Sequence, residues 1–245
     1  MKMTVGAADS GNSRTKWAVF EDGILADHGS WPDQNLSDWE VVQTVCHWKL
    51  AGVHPERLAT VKKVLESRGK TCDILSDPGS IGLKLDLQYP EKVGIDRVAA
   101  AWASWLRAGR RHSCVVVDAG TAVTIDLVDK NGIFRGGAIL PGLDLMLKSL
   151  ADGTRLLPRF FPSDLPHRSQ WPGRNTVEAI AAGTQEAQIG AVTAFISMAR
   201  NKDRDVRVFI TGGGGDFIGR GLNMSYEMVP TLVLEGIAKA GAVVA

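Results

Sequence analysis

Three aspartates, Asp9, Asp96 and Asp118, stand in glycine-containing motifs, and a further glycine run closes the set. Asp9-Ser10-Gly11 and Asp118-Ala119-Gly120 each follow an apolar stretch, Asp96 lies in Gly94-Ile95-Asp96-Arg97, and Gly212-Gly213-Gly214 follows the apolar VRVFIT. Backbone N–H groups of glycine turns can cradle phosphate oxygens, and a carboxylate beside them repels phosphate unless a cation lies between. Phosphoryl transfer suits such a set, because it depends on electrostatic positioning more than on covalent chemistry. Carboxylates can hold the cation that bridges nucleotide phosphates, while another accepts the proton of the attacking hydroxyl. Blander readings stay open for each piece alone. Asp-x-Gly is a common turn former, Asp96 at a helix start would cap it and complement the macrodipole, and a lone glycine run is a weak signal.

Other catalytic signatures are missing from the sequence. It contains no G-x-x-x-x-G-K-[ST] loop, no Rossmann G-x-G-x-x-G after a strand, no G-x-S-x-G elbow and no zincin helix. The histidines, His28, His47, His54, His112 and His167, are scattered without ligand spacing and read as structural or surface residues.

The elements that must position these aspartates are announced by an internal repeat. VGAADSGNSRTKWAVFEDG and CVVVDAGTAVTIDLVDKNG share an apolar run, Asp-small-Gly, and a second apolar stretch ending in glycine. Thr15 and Thr124, like Gly23 and Gly132, fall at matching distances from Asp9 and Asp118. Each copy reads as a β-hairpin, and the repeat predicts two similar halves. Two such hairpins facing one another would form a metal–nucleotide clamp.

Around the first hairpin the expected order is the strand GILADHGSW, a stretch of mixed helical periodicity from Leu36 to about Val45, and a short strand in LAGVHP. A helix opened by Pro55 and a strand in CDILSD follow. Val98, Ala101, Trp102, Trp105 and Leu106 mark one face of a helix starting near Asp96, with both tryptophans read as core or interface. After the second hairpin, FRGGAILPGLDLMLKSL reads as strand, turn and helix. Residues 153–175 form one long irregular segment whose Arg155, Arg159, His167, Arg168 and Arg174 are either functional or a solvated basic surface. Asn175 or Thr176 would cap the next helix, with Gly183 and Gly190 allowing close approach. VRVFIT is a buried strand, and TLVLEGIAKAGAVV a closing helix. Strands first, then alternating helices and strands, give an α/β layer pattern.

The chain has 245 residues, room for one large or two small domains, and the repeat favours two. With 44% hydrophobic and 22% charged residues it has the composition of a soluble globular protein. A net charge of +1 gives no electrostatic case for nucleic acid or membrane. Cys46, Cys72 and Cys114 lack C-x-x-C spacing and are expected as buried thiols of a cytoplasmic protein. No apolar stretch approaches a membrane span, and the N-terminus runs directly into the first repeat.

Taken in order, DSGNSRTKWAVF, AGVHP, YPEKVGIDR, DAGTAVTID, GGAILPGL, GTRLLP, NTVEAIAAG, TGGGGDF and LVLEG resemble the type III pantothenate kinases of the actin/hexokinase/Hsp70-like superfamily over nearly the whole chain. The resemblance implies an α/β fold of duplicated ribonuclease H-like halves, residues 1–108 and 109–245, with an interdomain cleft. It implies ATP-dependent phosphorylation of pantothenate to 4′-phosphopantothenate, the first step of coenzyme A synthesis. By motif, Asp9, Gly11, Asn12 and Ser13, with Lys16 nearby, correspond to a first phosphate element. Gly120, Thr121 and Ala122 correspond to a second, and Gly212, Gly213 and Gly214 to the adenosine-binding strand end. Asp96 matches the general base, and Tyr89, Gly94, Asp96, Arg97 and Thr176 the pantothenate site, Thr176 from the partner subunit of a homodimer. Asp9 and Asp118 match metal-binding positions for magnesium and a monovalent cation, potassium or ammonium. The family commonly reads Tyr-x-Asn-Pro before G-x-D-R, whereas Leu87 and Tyr89 stand at the Tyr and Asn positions here, and AGVHP is less hydroxyl-rich than the usual Ser-Ser-Val-Val-Pro. A regulatory protein on the same fold and a kinase for another small hydroxyl compound are the competing readings.

Overall fold

The computed structural model describes residues 3–11, 14–31 and 43–241. Asn12, Ser13 and most of the Leu36–Val45 stretch lie outside the described residues. In chain order the first elements are β1 (Thr4–Ser10), β2 (Thr15–Glu21), β3 (Ile24–Trp31), β4 (His47–Gly52), α1 (Pro55–Ser67), β5 (Thr71–Ile74), β6 (Lys84–Leu85) and α2 (Ile95–Arg107). There follow β7 (Cys114–Ala119), β8 (Ala122–Val128), β9 (Ile133–Pro141), α3 (Leu143–Gly153), α4 (Thr176–Lys202), β10 (Arg207–Thr211), α5 (Gly215–Gly221), β11 (Glu227–Met228) and α6 (Leu232–Lys239). The chain divides into two compact units. One comprises Met1–His112, Val128–Gly136 and Thr231–Ala245; the other comprises Ser113–Leu127 and Gly137–Pro230.

In the first unit β1, β2 and β3 form an antiparallel meander, and β4 and β5 add in parallel to give the order β3-β2-β1-β4-β5. Trp48 and Leu50 point from β4 into a core with Ala8, Val19, Trp31, Val61 and Leu65, so the apolar side chains of the strands meet the apolar face of α1. Pro55 opens α1 at a position where its missing N–H is no loss, and the His54 ring accepts the Arg57 N–H at 3.3 Å as the cap. Helix α2 buries Val98, Ala99, Ala101 and Trp102. Its small residues let α6 approach until a Cβ on Gly236 would lie 1.9 Å from the Ala99 carbonyl oxygen. Arg107 donates twice, at 2.8 Å each, to the buried carboxylate of Glu235 and fixes the register of that helix pair.

The second unit carries the strand order β11-β10-β7-β8-β9, with β7, β10 and β11 parallel. Taken from the β9 end this is β3-β2-β1-β4-β5 over again, so the duplication read from the hairpins extends to whole sheets. Val115, Val117, Ile125, Val192, Ile196 and Ile210 form its core. Asn175, not Thr176, caps α4, accepting the Glu178 N–H at 2.9 Å. Three expectations fail. Gly183 and Gly190 face open space on α4, because glycine spacing alone does not tell which helix face packs. Residues 154–175 are irregular, yet Leu157, Phe160 and Leu165 pack on Leu147, Ile180 and Ala181. Arg159 there is no freely solvated cation: it donates to the Asp144 carboxylate at 2.8 Å. Nor are all the cysteines buried, since Cys46 is exposed and Cys72 half-buried. No described helix is long and apolar enough to cross a membrane.

Candidate active site

In the first unit Asp9 is the penultimate residue of β1, directly across the ladder from Lys16 on β2, so the two side chains leave the same face of the sheet. Gly11 follows, its N–H donating to the Arg14 carbonyl at 3.1 Å. The strand end is braced from β4, where a Cβ on Gly52 would meet the Ser10 carbonyl oxygen at 2.4 Å and the His54 N–H donates to that same oxygen at 3.2 Å. Arg57 completes the brace by donating to the Gly11 carbonyl. Sequence reading missed Arg57, for nothing local links it to a turn 46 residues earlier.

Asp96 is the second residue of α2, and the cap is Gly94 rather than Asp96. One carboxylate oxygen accepts the Arg97 N–H at 2.9 Å. A Cβ on Gly94 would lie 2.4 Å from that oxygen, which explains the glycine: the carboxylate occupies the space a side chain would need. Arg97 lies with its guanidinium 6.0 Å above the ring of the fully buried Phe134. Tyr89, exposed, has Lys92 over its ring at 4.5 Å.

In the second unit the predicted pieces converge. Gly120 and Thr121 connect β7 to β8, and the Gly120 N–H donates to the Ala122 carbonyl at 3.0 Å. The turn after β10 lies against them. Gly214 donates to the Ala119 carbonyl at 2.9 Å, and a Cβ on Gly212 would stand 2.5 Å from both that oxygen and the Asp118 carboxylate. Gly212 also has φ +87°, a conformation glycine adopts without strain. Gly213 has nothing within 4 Å of its would-be Cβ, which leaves its backbone open to a flat ligand. Gly142 comes back from β9 to donate to the Thr121 carbonyl at 2.9 Å. Asp118, Gly120, Thr121, Ala122, Gly212 and Gly214 thus share one turn cluster, whereas Thr176 lies apart from these contacts, exposed at the start of α4.

Residues 7–198 match the family model for type III pantothenate kinases. The chain belongs to that family. A type III pantothenate kinase from Persephonella marina is 30% identical, the match covering 94% of either chain. One from Thiobacillus denitrificans is 32% identical over 95% of this chain and 96% of its own. Among solved structures, a ROK hexokinase from Thermus thermophilus matches with a TM-score of 0.51 at 12% identity, covering 96% of this chain and 97% of its own. That likeness concerns the fold alone, which is the actin/hexokinase-like α/β fold that the family resemblance implied. The protein is accordingly a kinase.

Proposed function

We propose that this type III pantothenate kinase transfers the γ-phosphoryl group of ATP to the terminal hydroxyl of pantothenate, the opening step of coenzyme A synthesis. The observation that carries the reading is the second-unit cluster, where a left-handed glycine lets the turn after β10 sit against the Asp118 turn with no room for a Cβ. Such a cradle presents backbone rather than side chains to a nucleotide. Gly120, Thr121 and Ala122 form the phosphate side and Gly212, Gly213 and Gly214 the adenosine side. Asp9, Gly11, Asn12, Ser13 and Lys16 supply the corresponding groups of the first half, with the halves taken as 1–108 and 109–245.

Asp96 acts as general base. It takes the hydroxyl proton as the oxygen bonds to the γ-phosphorus and the bond to the β,γ-bridging oxygen breaks, releasing ADP. Tyr89, Gly94, Arg97 and Thr176 make up the pantothenate site. Magnesium in nucleotide sites is held by one or two carboxylates together with substrate phosphates, and Asp118 and Asp9 are donors of that type. Bound there, the ion would neutralise charge developing on the phosphates, and the carbonyl and hydroxyl oxygens around Thr121 are donors suited to potassium, or as acceptors to ammonium. A homodimer is part of the proposal: Thr176 is exposed, and so are Leu156 and Trp171, each 87% accessible on the single chain. The setting is taken as cytoplasmic, with neither nucleic acid nor membrane as partner.

The test is ADP release with ATP, magnesium and pantothenate, in potassium, in ammonium and in sodium alone. Pantothenate-dependent turnover requiring potassium or ammonium is the expected result. Turnover with another hydroxyl compound, or with none, would replace this reading by a kinase of different substrate or by a regulatory protein.

A further inference from the structure

The residues just before the proposed pantothenate site are fastened to the first residues of β9 in a way that points beyond packing. The Asp86 N–H donates to the Phe134 carbonyl at 3.0 Å, extending the parallel pairing of β6 with β9. The Asp86 carboxylate accepts from the Arg135 guanidinium. Leu87 sits over Gly136, where a Cβ would be 3.0 Å from its side chain, and Gly136 has φ +79°. Phe134, between these contacts, lies under Arg97. Three consecutive residues of β9 therefore template both edges of the Asp86–Arg97 stretch.

Arg135 is itself held rigidly. Its Nε and Nη2 donate to Asp129 Oδ2 at 2.9 and 2.5 Å. Asp129 Oδ1 is occupied by the N–H groups of Asn131 and Ile133, at 2.9 and 3.0 Å. With one edge of the planar guanidinium clamped, the third donor has a fixed direction, which lysine could not reproduce. The Asp86 side chain is 62% exposed and that of Arg135 is 39% exposed, and ion pairs so placed add little to stability. Stability alone does not account for so constrained an arrangement.

We propose that Arg135 is a positioning residue for phosphoryl-acceptor recognition, acting through Asp86 to set the Leu87–Tyr89 segment. Neither residue touches the acceptor in this account. Their effect is to hold the strip that carries the half-buried Leu87 and the exposed Tyr89, two of the positions at which this chain departs from its family's usual residues. The inference rests on the pantothenate reading above.

The experiment compares wild type, Arg135→Gln, Arg135→Lys, Asp86→Asn and the Arg135→Gln/Asp86→Asn double variant, measuring kcat and KM for pantothenate and for ATP, with thermal melting alongside. Asp86→Asn leaves the Arg135–Asp129 pair intact and so guards against loss of folding in Arg135→Gln. Displacement of a substrate-positioning group by ~1 Å can cost on the order of 10²-fold. The expected result is accordingly a roughly tenfold or larger fall in kcat/KM for pantothenate, mostly in KM, with KM for ATP within about twofold. Arg135→Lys should fail to restore it, and the double variant should be no worse than the single ones, because both act through one contact. Equal losses toward both substrates, or additive losses in the double variant, would overturn the inference. So would variants matching wild type while wild type turns over pantothenate, which leaves the functional reading standing. Absence of pantothenate turnover in folded wild type would remove both.

Discussion

Alanine at Gly212 and alanine at Gly213 should do opposite things, and the pair separates the architecture of the turn from its use. At Gly212 φ is +87°, and an L-residue there costs about 1–2 kcal/mol. Its methyl would also stand 2.5 Å from the Ala119 carbonyl oxygen and from Asp118 Oδ1. One of these is backbone at the end of a central strand, so relief requires moving β7 or the turn itself, an overpacking cost of typically 1–3 kcal/mol. The sum, about 2–5 kcal/mol, corresponds to a fall of roughly 5–15 °C in thermal midpoint for a chain of this size. At Gly213 there is no atom within 4 Å of the new methyl and no left-handed backbone to strain, so stability should hold or rise by about 0.4–1 kcal/mol through the unfolded chain. If the open Gly213 backbone receives the nucleotide, however, the methyl occupies ligand space. KM for ATP should then rise about tenfold, equivalent to ~1.4 kcal/mol, while KM for pantothenate stays put. Scanning calorimetry and a coupled ADP assay on both variants read the outcome. A Gly212→Ala protein melting within about 2 °C of wild type would refute the steric argument, and an unchanged KM for ATP in Gly213→Ala would refute the nucleotide assignment.

Asp96→Asn should lower kcat by about 10²–10⁴-fold while leaving the melting temperature nearly unchanged, since Asn keeps the size of the side chain and its acceptor for the Arg97 N–H; activity within a few-fold of wild type would mean another base. The Asp129 carboxyl is raised by burial but held below its usual value overall by hydrogen bonds from Arg135 and from the N–H groups of Ile133 and Asn131. A folded-state value lying below the unfolded one of ~3.9 gives stability that is complete above that pH and is lost as the pH falls through the folded-state value. Asp129→Asn should therefore lose less stability than wild type as the pH falls below about 4, and equal acid slopes in urea titrations would contradict this. The Cys72 thiol is pushed up to about 11, chiefly by burial and further by Glu66 and Asp73 against an opposing Lys62, so at pH 8 a disulfide reagent should modify the exposed Cys46 well before Cys72. Simultaneous modification of both in the native protein would count against that ranking.

What the sequence made legible follows from how far each signal reaches along the chain. The hairpins around Asp9 and Asp118 are local, so their apolar runs and turn glycines announced them, and a repeated hairpin was enough to anticipate two similar halves. Helix α2 was legible from its apolar spacing, but Gly94 was not, because its reason is the position of the Asp96 carboxylate rather than any turn preference. Arg57 and Arg135 escaped because their partners lie 46 and 49 residues away and an arginine on an exposed helix or strand has no distinguishing pattern. The duplication itself proves longer than the sequence suggested. In the matched strand orders β4 corresponds to β10, and a glycine of positive φ ends the first and directly follows the second, Gly52 at +151° and Gly212 at +87°. Both glycines press on the residues at the end of the strand that enters the Asp-x-Gly turn, Gly52 on Ser10 and Gly212 on Asp118 and Ala119. AGVHP and TGGGG share little as text beyond a glycine, yet they do the same mechanical work. The repeated unit is therefore a hairpin whose turn is braced by the neighbouring parallel strand, largely through backbone. The two copies differ in how the turn is finished: the guanidinium of Arg57 locks the first, and nothing lies within 4 Å of a Cβ on Gly213 in the second.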